Sequence, residues 1–130
     1  METQAAAQRW ATTWTRAWPK GDVEAITSLY AESALYRSVA FRKPDRGLAG
    51  VRRYLSEQFA AESEVECSFG EPIASGDRAA VEWWASWVEE GEPITLAGTT
   101  VLRFAADGRV VDHRDYWNSV DQRQAFYNGW

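Results

Sequence analysis

The residues whose types and spacing suggest chemistry lie together near the end of the chain. The stretch Gly108–Asn118 contains the only histidine, His113, and a carboxylate two residues later, Asp115. Side chains on a β-strand alternate between its two faces, so His113, Asp115 and Trp117 share one face. An imidazole beside a carboxylate can transfer protons near neutral pH. This stretch therefore predicts an acid–base pair if that face lines a closed cavity, and no chemistry if it meets water.

Each member of the pair also has a purely structural interpretation. Asp115 could satisfy a buried polar position by pairing with an arginine such as Arg37 or Arg103. Burial among tryptophans would instead favour the protonated carboxyl and suit Asp115 to proton transfer. His113 could simply fill a half-buried strand, since residues two apart on a strand are ~6.5–7 Å apart at the backbone. We expect Asp115 to move the proton and His113 to assist it.

Tryptophans predict the walls around this pair. Trp83 and Trp87 share one face of a predicted strand at 78–89, while Trp84 and Glu82 lie on the other. Inward-facing tryptophans would form a flat, rigid wall suited to a ring-shaped apolar ligand. Plain core packing with a tryptophan-lined dimer face is the alternative, and with reversed parity Glu82 becomes a second candidate acid. The candidate ligand-binding residues are Trp83, Trp87, Trp117, Phe59 and Leu102.

Hydrophobic periodicity predicts helices first and strands after them. Apolar residues at three- and four-residue spacing indicate a helix at 4–18, which Pro19 and Gly21 end. Asp22 can cap a second, short helix that ends near residue 33. From residue 65 onward apolar residues alternate, which predicts strands. The predicted elements are helices at 4–18, 22–33 and 50–61, strands at 34–40, 65–69, 78–89, 94–104 and 108–118, and an aromatic tail at 119–130 that clamps over an edge or a partner.

This order of elements predicts the fold class. Helices followed by a curved antiparallel sheet, with its three long strands in a meander, are typical of an α+β domain. Helices on one face of such a sheet close a cone, and the mouth of the cone is a natural site for a small molecule. The chain of 130 residues is the right size for one domain, and we assign all of 1–130 to it.

Composition limits the partners. The net charge of −5 argues against nucleic acid, because binding phosphates requires a basic surface. The sequence contains neither a signal-like start nor an apolar run of about 18 residues, the length of a membrane span. The single cysteine, Cys67, excludes an internal disulfide and fits a reducing compartment. We therefore expect a cytoplasmic protein that binds no membrane.

Motifs for other kinds of chemistry are missing from the sequence. One histidine and one cysteine far apart do not form the ligand cluster that zinc requires. No Gly-x-Ser-x-Gly elbow occurs, and no glycine-rich phosphate motif follows a predicted strand. We therefore predict no metal and no cofactor.

Three phrases carry a resemblance to a known family. The segments at 29–36, 98–104 and 108–117 (LYAESALY, GTTVLRF and GRVVDHRDYW), in this order of elements, resemble the SnoaL-like branch of the nuclear transport factor 2-like superfamily. The resemblance covers about residues 5–118 and implies a cone-shaped α+β fold. This fold hosts isomerases, cyclases, epoxide hydrolases, dehydratases and non-catalytic binding domains. The resemblance, together with an apolar outer strand face, also implies a homodimer.

Limonene epoxide hydrolases of that superfamily offer a mechanistic comparison. The phrase at 114–117 is similar to an Arg-Asp-Tyr-Phe phrase whose aspartate is catalytic in those enzymes, so the resemblance implies that position for Asp115. Tyr36 matches a tyrosine that holds the attacking water there. Ser38, however, stands where those enzymes have an asparagine.

The other half of that catalytic set is missing. Trp83 and Ala85 stand where those enzymes have an arginine and an aspartate, which argues against epoxide hydrolysis by the same arrangement. We predict a cofactor-independent acid–base enzyme of isomerase, cyclase, dehydratase or hydrolase type, acting on a small hydrophobic and cyclic molecule. Asp115 would move the proton, assisted by His113 and Tyr36. The alternative is a non-catalytic ligand-binding or dimeric assembly domain.

Overall fold

The chain begins with helices that pack on one face of a sheet. The computed structural model describes all of residues 1–130. The first helix buries the apolar stripe that predicted it, including Trp10 and Trp14. A 3-10 turn then brings in Trp18, and Gly21 ends this turn in the left-handed region at φ 63°. The helices are α1 (Thr3–Ala17), α2 (Val23–Thr27) and α3 (Gly47–Ala60).

Helix α2 is shorter than the helix predicted at 22–33. Asp22 caps it as predicted, since its carboxylate accepts a hydrogen bond from a backbone N–H three residues later (3.1 Å). The helix nevertheless ends at Thr27, and the chain enters a strand at Tyr30 instead of residue 34. The physical reason is that Tyr30 pairs with Val110, which is remote in sequence. A local pattern contains no information about that pairing.

Seven strands form one mixed sheet. The strands are β1 (Tyr30–Arg37), β2 (Asp45–Arg46), β3 (Glu62–Phe69), β4 (Ile73–Ser75), β5 (Arg78–Glu89), β6 (Glu92–Phe104) and β7 (Val110–Val120). Their order in the sheet is β2-β1-β7-β6-β5-β3, with β4 paired to β5. The three long strands β5, β6 and β7 form the predicted antiparallel meander, while β1 runs parallel to β7, a pairing that the sequence did not predict. The α+β prediction is confirmed.

The core lies between the helices and the inner face of the sheet. Trp83, Ala85 and Trp87 of β5 belong to this core, which decides between the two parities that the sequence left open for that strand. Glu82 is exposed on the other face and is therefore not a second acid in the interior. No helix in the structure is both long enough and apolar enough to cross a membrane.

The C-terminal residues 121–130 fold back over the outer face of the sheet. The indole N–H of Trp84 donates to the carbonyl of Gln124 (2.8 Å), and the Thr95 hydroxyl donates to the carbonyl of Gln122 (2.8 Å). The rings of Tyr127 and Trp130 approach that of Trp84 to 5.6 and 5.8 Å. The tail therefore covers the outer face of its own sheet at β5 and β6, instead of the edge or partner that the sequence predicted.

Candidate active site

A cavity of about 280 Å³ lies between the helices and the inner face of the sheet. It is lined by 22 residues, 14 of them hydrophobic. Six of the eight tryptophans contribute to its wall, and they leave an open volume at its centre. These tryptophans are Trp10, Trp14, Trp18, Trp83, Trp87 and Trp117.

His113 and Asp115 are in direct contact at this cavity. The distance from His113 Nε2 to Asp115 Oδ1 is 2.8 Å, although the two residues are two apart on β7. The imidazole is 1% exposed and the carboxylate side chain 12% exposed. Neither alternative arginine reaches Asp115: Arg37 instead lies 3.7 Å from Asp112, and Arg103 makes no ion pair. The predicted pair therefore exists and faces the interior.

A chain of hydrogen bonds fixes which nitrogen of His113 carries the proton. The indole N–H of Trp10 donates to the Tyr30 hydroxyl (3.1 Å), and that hydroxyl lies 2.8 Å from His113 Nδ1. Because indole N–H can only donate, Tyr30 satisfies its own proton by donating to Nδ1. Burial raises the pKa of Tyr30 above its usual value of 10, so it stays protonated. Nε2–H of a neutral imidazole then donates to Asp115.

A second chain reaches the same carboxylate oxygen from the sheet. The indole N–H of Trp83 donates to the Thr100 hydroxyl (2.8 Å), and that hydroxyl donates to Asp115 Oδ1 (2.6 Å). Thr100 lies opposite Asp115 in the pairing of β6 with β7. Oδ1 therefore accepts two hydrogen bonds, one from the imidazole of His113 and one from the Thr100 hydroxyl.

Asp115 Oδ2 and the Tyr36 hydroxyl are among the polar atoms of the cavity wall that have no hydrogen-bond partner in the protein. No hydrogen bond reaches Oδ2 of Asp115, because both of its contacts end on Oδ1. The Tyr36 hydroxyl also forms none, while its ring stacks on His113 (3.8 Å between centroids, 17° between planes). Burial, together with the negative charge of Asp115, raises the pKa of Tyr36 well above its usual value of 10. A carboxylate oxygen and a hydroxyl group without partners thus line one cavity.

A second acidic group lies at the other end of β5. Glu62 and Glu89 are opposite each other where β3 pairs with β5, and both line the cavity. Glu62 accepts hydrogen bonds from the indole N–H of Trp18 (2.8 Å) and the amide of Gln58 (3.0 Å). Burial raises the pKa of Glu62 above its usual value, and the nearby negative charge of Glu89 also raises it. The hydrogen bonds from Trp18 and Gln58 lower the pKa and so offset part of that rise.

The structure brings together most of the candidate ligand-binding residues. Trp83, Trp87, Trp117 and Phe59 line the cavity. Trp117 lies at the cavity mouth, 39% exposed, and its indole N–H donates to the carbonyl of Ser38 (2.9 Å). Leu102 is different, because it is completely buried in the core and does not line the cavity.

Sequence reasoning missed several groups at this site. Tyr30 and Thr100, which orient the acid–base pair, gave no signal because their roles depend on strands that are distant in sequence. Glu62 sits at the start of β3, three residues before the predicted strand. The spacing of Trp10, Trp14 and Trp18 gave a usable signal, since residues four apart project from one helix face. That signal was interpreted only as core packing.

A family model for the SnoaL-like domain matches residues 11–113. This match spans most of the chain. The chain belongs to the SnoaL-like family. The matched segment ends at His113, so Asp115 lies two residues beyond it.

Solved structures of other proteins share the fold of this SnoaL-like chain. One of them is SalBIII, an epoxide hydrolase/cyclase-like enzyme in pyran ring formation in the polyether salinomycin. Its sequence is 22% identical to this chain and its structure superimposes with a TM-score of 0.77. The match covers 88% of this chain and 92% of SalBIII. A second is a protein with a ketosteroid isomerase-like fold from Catenulispora acidiphila, in complex with trimethylamine. It is 20% identical with a TM-score of 0.72, and the match covers 81% of this chain and 82% of that protein. RV0760c from Mycobacterium tuberculosis is 20% identical with a TM-score of 0.75, and the match covers 92% of this chain and 98% of RV0760c. At these identities the likeness shows the NTF2-like, ketosteroid isomerase-like fold.

Proposed function

We propose that this SnoaL-like protein is a cofactor-independent acid–base enzyme that acts on a small, hydrophobic, cyclic molecule. The observation that carries the proposal is the pair of free polar atoms, Asp115 Oδ2 and the Tyr36 hydroxyl, on one aromatic-lined cavity. The other oxygen of Asp115, Oδ1, is held by two hydrogen-bond chains, one from Tyr30 through His113 and one from Trp83 through Thr100. Those chains hold the carboxylate still and leave one oxygen for the substrate.

The arrangement supports a proton transfer with defined roles. Asp115 Oδ2 removes a proton from a C–H next to a carbonyl, or from a hydroxyl group of the substrate. The Tyr36 hydroxyl donates a hydrogen bond to the substrate oxygen on which negative charge develops. The proton held on Asp115 then passes to a different atom of the same molecule. His113 remains neutral and acts by keeping Asp115 in position, since its Nδ1 already accepts from Tyr30.

Two reaction types follow from these roles. Proton removal and return at different carbons is an isomerisation, and proton removal from a hydroxyl that attacks within the same molecule is a cyclisation. The likeness to SalBIII, an epoxide hydrolase/cyclase-like enzyme in pyran ring formation, supports including cyclisation. Trp83 and Ala85 stand where an arginine and an aspartate complete the hydrolase set, so we do not propose epoxide hydrolysis by that set.

Ligand binding without turnover is the second candidate. The incomplete hydrolase set favours it, and so does the large share of apolar residues in the cavity wall. In that case Asp115 and Tyr36 would orient a ligand through the same two free atoms.

The test compares wild-type protein with Asp115→Asn on a panel of small cyclic enones and hydroxy-epoxides. Enones are followed in deuterated water by mass spectrometry, and hydroxy-epoxides by loss of the starting ring. Asparagine keeps the oxygen that accepts from His113 and Thr100 but cannot take up a proton, so we expect turnover to fall by about 10²–10⁴-fold.

Asp107→Asn is the matched control, because that carboxylate is 60% exposed in a turn. Equal turnover by Asp115→Asn and wild type would reject Asp115 as the base. Tight binding that quenches tryptophan fluorescence, with no turnover of any substrate by wild type, would favour the binding function.

A further inference from the structure

The cavity contains more negative than positive charge. Its lining includes three carboxylates and one guanidinium, that of Arg42. Arg42 is already committed, because its Nη2 lies 3.0 Å from Asp45, which is not part of the lining. Its guanidinium also lies over the ring of Tyr54, 5.4 Å from the centroid. An anionic ligand would therefore find no available cation in this cavity. The three carboxylates are Glu62, Glu89 and Asp115.

Glu62 and Glu89 are close together and have no positive partner. They occupy directly opposite positions on β3 and β5, where antiparallel partners have Cα atoms about 4.5–5.5 Å apart. None of the ion pairs in the structure includes either residue. Two neighbouring carboxylates at the edge of an apolar cavity repel each other, and a cation between them would remove that repulsion.

Indole rings surround these two carboxylates. Trp18 donates its N–H to Glu62 (2.8 Å), and Trp87 donates its N–H to Glu89 (3.2 Å). The two indoles lie 5.7 Å apart at an angle of 49°, and the ring of Phe59 is stacked 6.4 Å from Trp18. The faces of aromatic rings, indole above all, attract cations through their quadrupole. Carboxylates bonded to the ring edges add to that attraction.

We propose that Glu62, Glu89, Trp18, Trp87 and Phe59 form a cation subsite that binds the ammonium or iminium group of an otherwise apolar ligand. The remaining aromatic wall accepts the apolar body of that molecule. This inference deepens the proposed function, since it names the charge of the molecule that the catalytic cavity accepts. The cation subsite is tested by ligand affinity and the acid–base function by turnover, so one proposal can fail while the other holds.

The test uses two probes of nearly the same shape, benzyltrimethylammonium and its neutral carbon analogue neopentylbenzene. Binding is followed by tryptophan fluorescence and by the indole N–H resonances of Trp18 and Trp87 in a ¹H–¹⁵N spectrum. We expect the cation to bind at least about tenfold more tightly than the neutral probe and to shift both indole resonances. Phenylpropanoate, an anion of similar size, should bind more weakly than either.

Matched variants distinguish binding at the subsite from a general effect of the protein's negative surface charge. Glu62→Gln and Glu89→Gln each remove one negative charge and should weaken benzyltrimethylammonium binding by about tenfold, without affecting the neutral probe. Glu66→Gln removes the same charge from the same strand β3, at a side chain that is 82% exposed, and should leave binding unchanged. Using two subsite variants keeps the test valid if one of them does not fold.

Three outcomes would overturn the cation subsite. They are equal affinity for the charged and neutral probes, no binding of benzyltrimethylammonium up to millimolar concentration, and wild-type affinity in both Glu62→Gln and Glu89→Gln. If the charged and neutral probes bind equally well but Asp115→Asn loses turnover, the cation subsite is rejected and the acid–base function is retained. Selective cation binding with no such defect would reject the catalytic proposal and keep the subsite.

Discussion

At the scale of single residues, the candidate site depends on the direction of each hydrogen bond. Trp10 and Trp83 can only donate, and each begins a chain that ends on Oδ1 of Asp115. Every hydroxyl in between therefore has its proton assigned. The result is an imidazole whose Nε2–H donates to Asp115, and one carboxylate oxygen that has no partner. Under the proposed function, a single histidine is enough to keep Asp115 in position because a buried tyrosine fixes its tautomer.

Tyr30→Phe tests this assignment. The change removes the hydroxyl that accepts from Trp10 and donates to His113, and so leaves two buried polar atoms without partners. We expect the free energy of unfolding to fall by about 1–3 kcal/mol, measured by urea denaturation. In the variant, Nδ1 of His113 should also become free to take up a proton, so the ¹⁵N chemical shifts of the ring should change.

Tyr127→Phe is the control, because that tyrosine is 66% exposed. Its stability and histidine spectrum should match those of the wild type. A Tyr30→Phe variant with unchanged stability and an unchanged histidine spectrum would contradict the assigned direction of the chain.

At the scale of elements, the pairing of β6 with β7 sets the position of both Asp115 and Trp117. Gly98 lies opposite Trp117 in this pairing. A Cβ at Gly98 would lie 2.8 Å from Trp117 Cβ and would overlap with the carbonyl oxygen of Tyr116. Only glycine allows β7 to approach this closely, and so brings the indole of Trp117 to the mouth of the cavity.

Gly98→Ala should therefore separate β6 from β7. Because the clash involves backbone atoms, which cannot rotate away, we expect the free energy of unfolding to fall by about 2–4 kcal/mol, near the upper end of single substitutions. Urea denaturation measures this loss. The indole N–H resonance of Trp117 should shift as its bond to Ser38 lengthens.

Gly70→Ala is the matched control for this change. A Cβ at Gly70 meets its nearest neighbour at an ordinary distance of 3.6 Å, without a positive φ. It should change stability by less than about 1 kcal/mol. Equal stability of the two alanine variants would show that β6 and β7 separate without cost.

At the scale of the whole molecule, the C-terminal tail covers the outer face of the sheet. It leaves Trp84 only 9% exposed, while Phe126 and Tyr127 of the tail remain 48% and 66% exposed. The sequence predicted a homodimer through this outer face. That homodimer stays a prediction, and the tail would form part of its interface.

Deletion of residues 121–130 should uncover Trp84 and the apolar surface around it. We expect the free energy of unfolding to fall by about 1.5–3 kcal/mol, the scale for exposing one large apolar side chain. The shortened chain should also self-associate more than the full chain at the same concentration, because an exposed apolar patch favours association. Urea denaturation and light scattering after size-exclusion chromatography measure the two effects.

Adding Trp84→Ser to the shortened chain provides the control. If Trp84 drives the association, the combined variant should return to the mass of the full chain. A shortened chain that is as stable and as dispersed as the full chain would show that the tail contributes nothing to the fold.

The sequence by itself determined the alternation of side chains on each strand and the order of elements. Those two properties were sufficient to predict the α+β class, the meander and the residues that share a face of β5 or β7, but not which face lies inward. The alternation of side chains and the order of elements are local properties, since each depends only on the period of a helix or strand. The same reasoning extended the second helix too far, because the entry into β1 is decided by pairing with β7.

Only the tertiary structure decided which polar atoms at the site are free. Tyr30, Thr100 and Trp10 reach the acid–base pair from three different elements, and no spacing along the chain connects them. The register of β3 with β5 likewise brought Glu62 opposite Glu89. A hydrogen bond depends on distances within about 3 Å, whereas sequence patterns fix only the face on which a residue lies. The candidate chemistry was therefore visible in the sequence as a face, and became a site through the packing of distant strands.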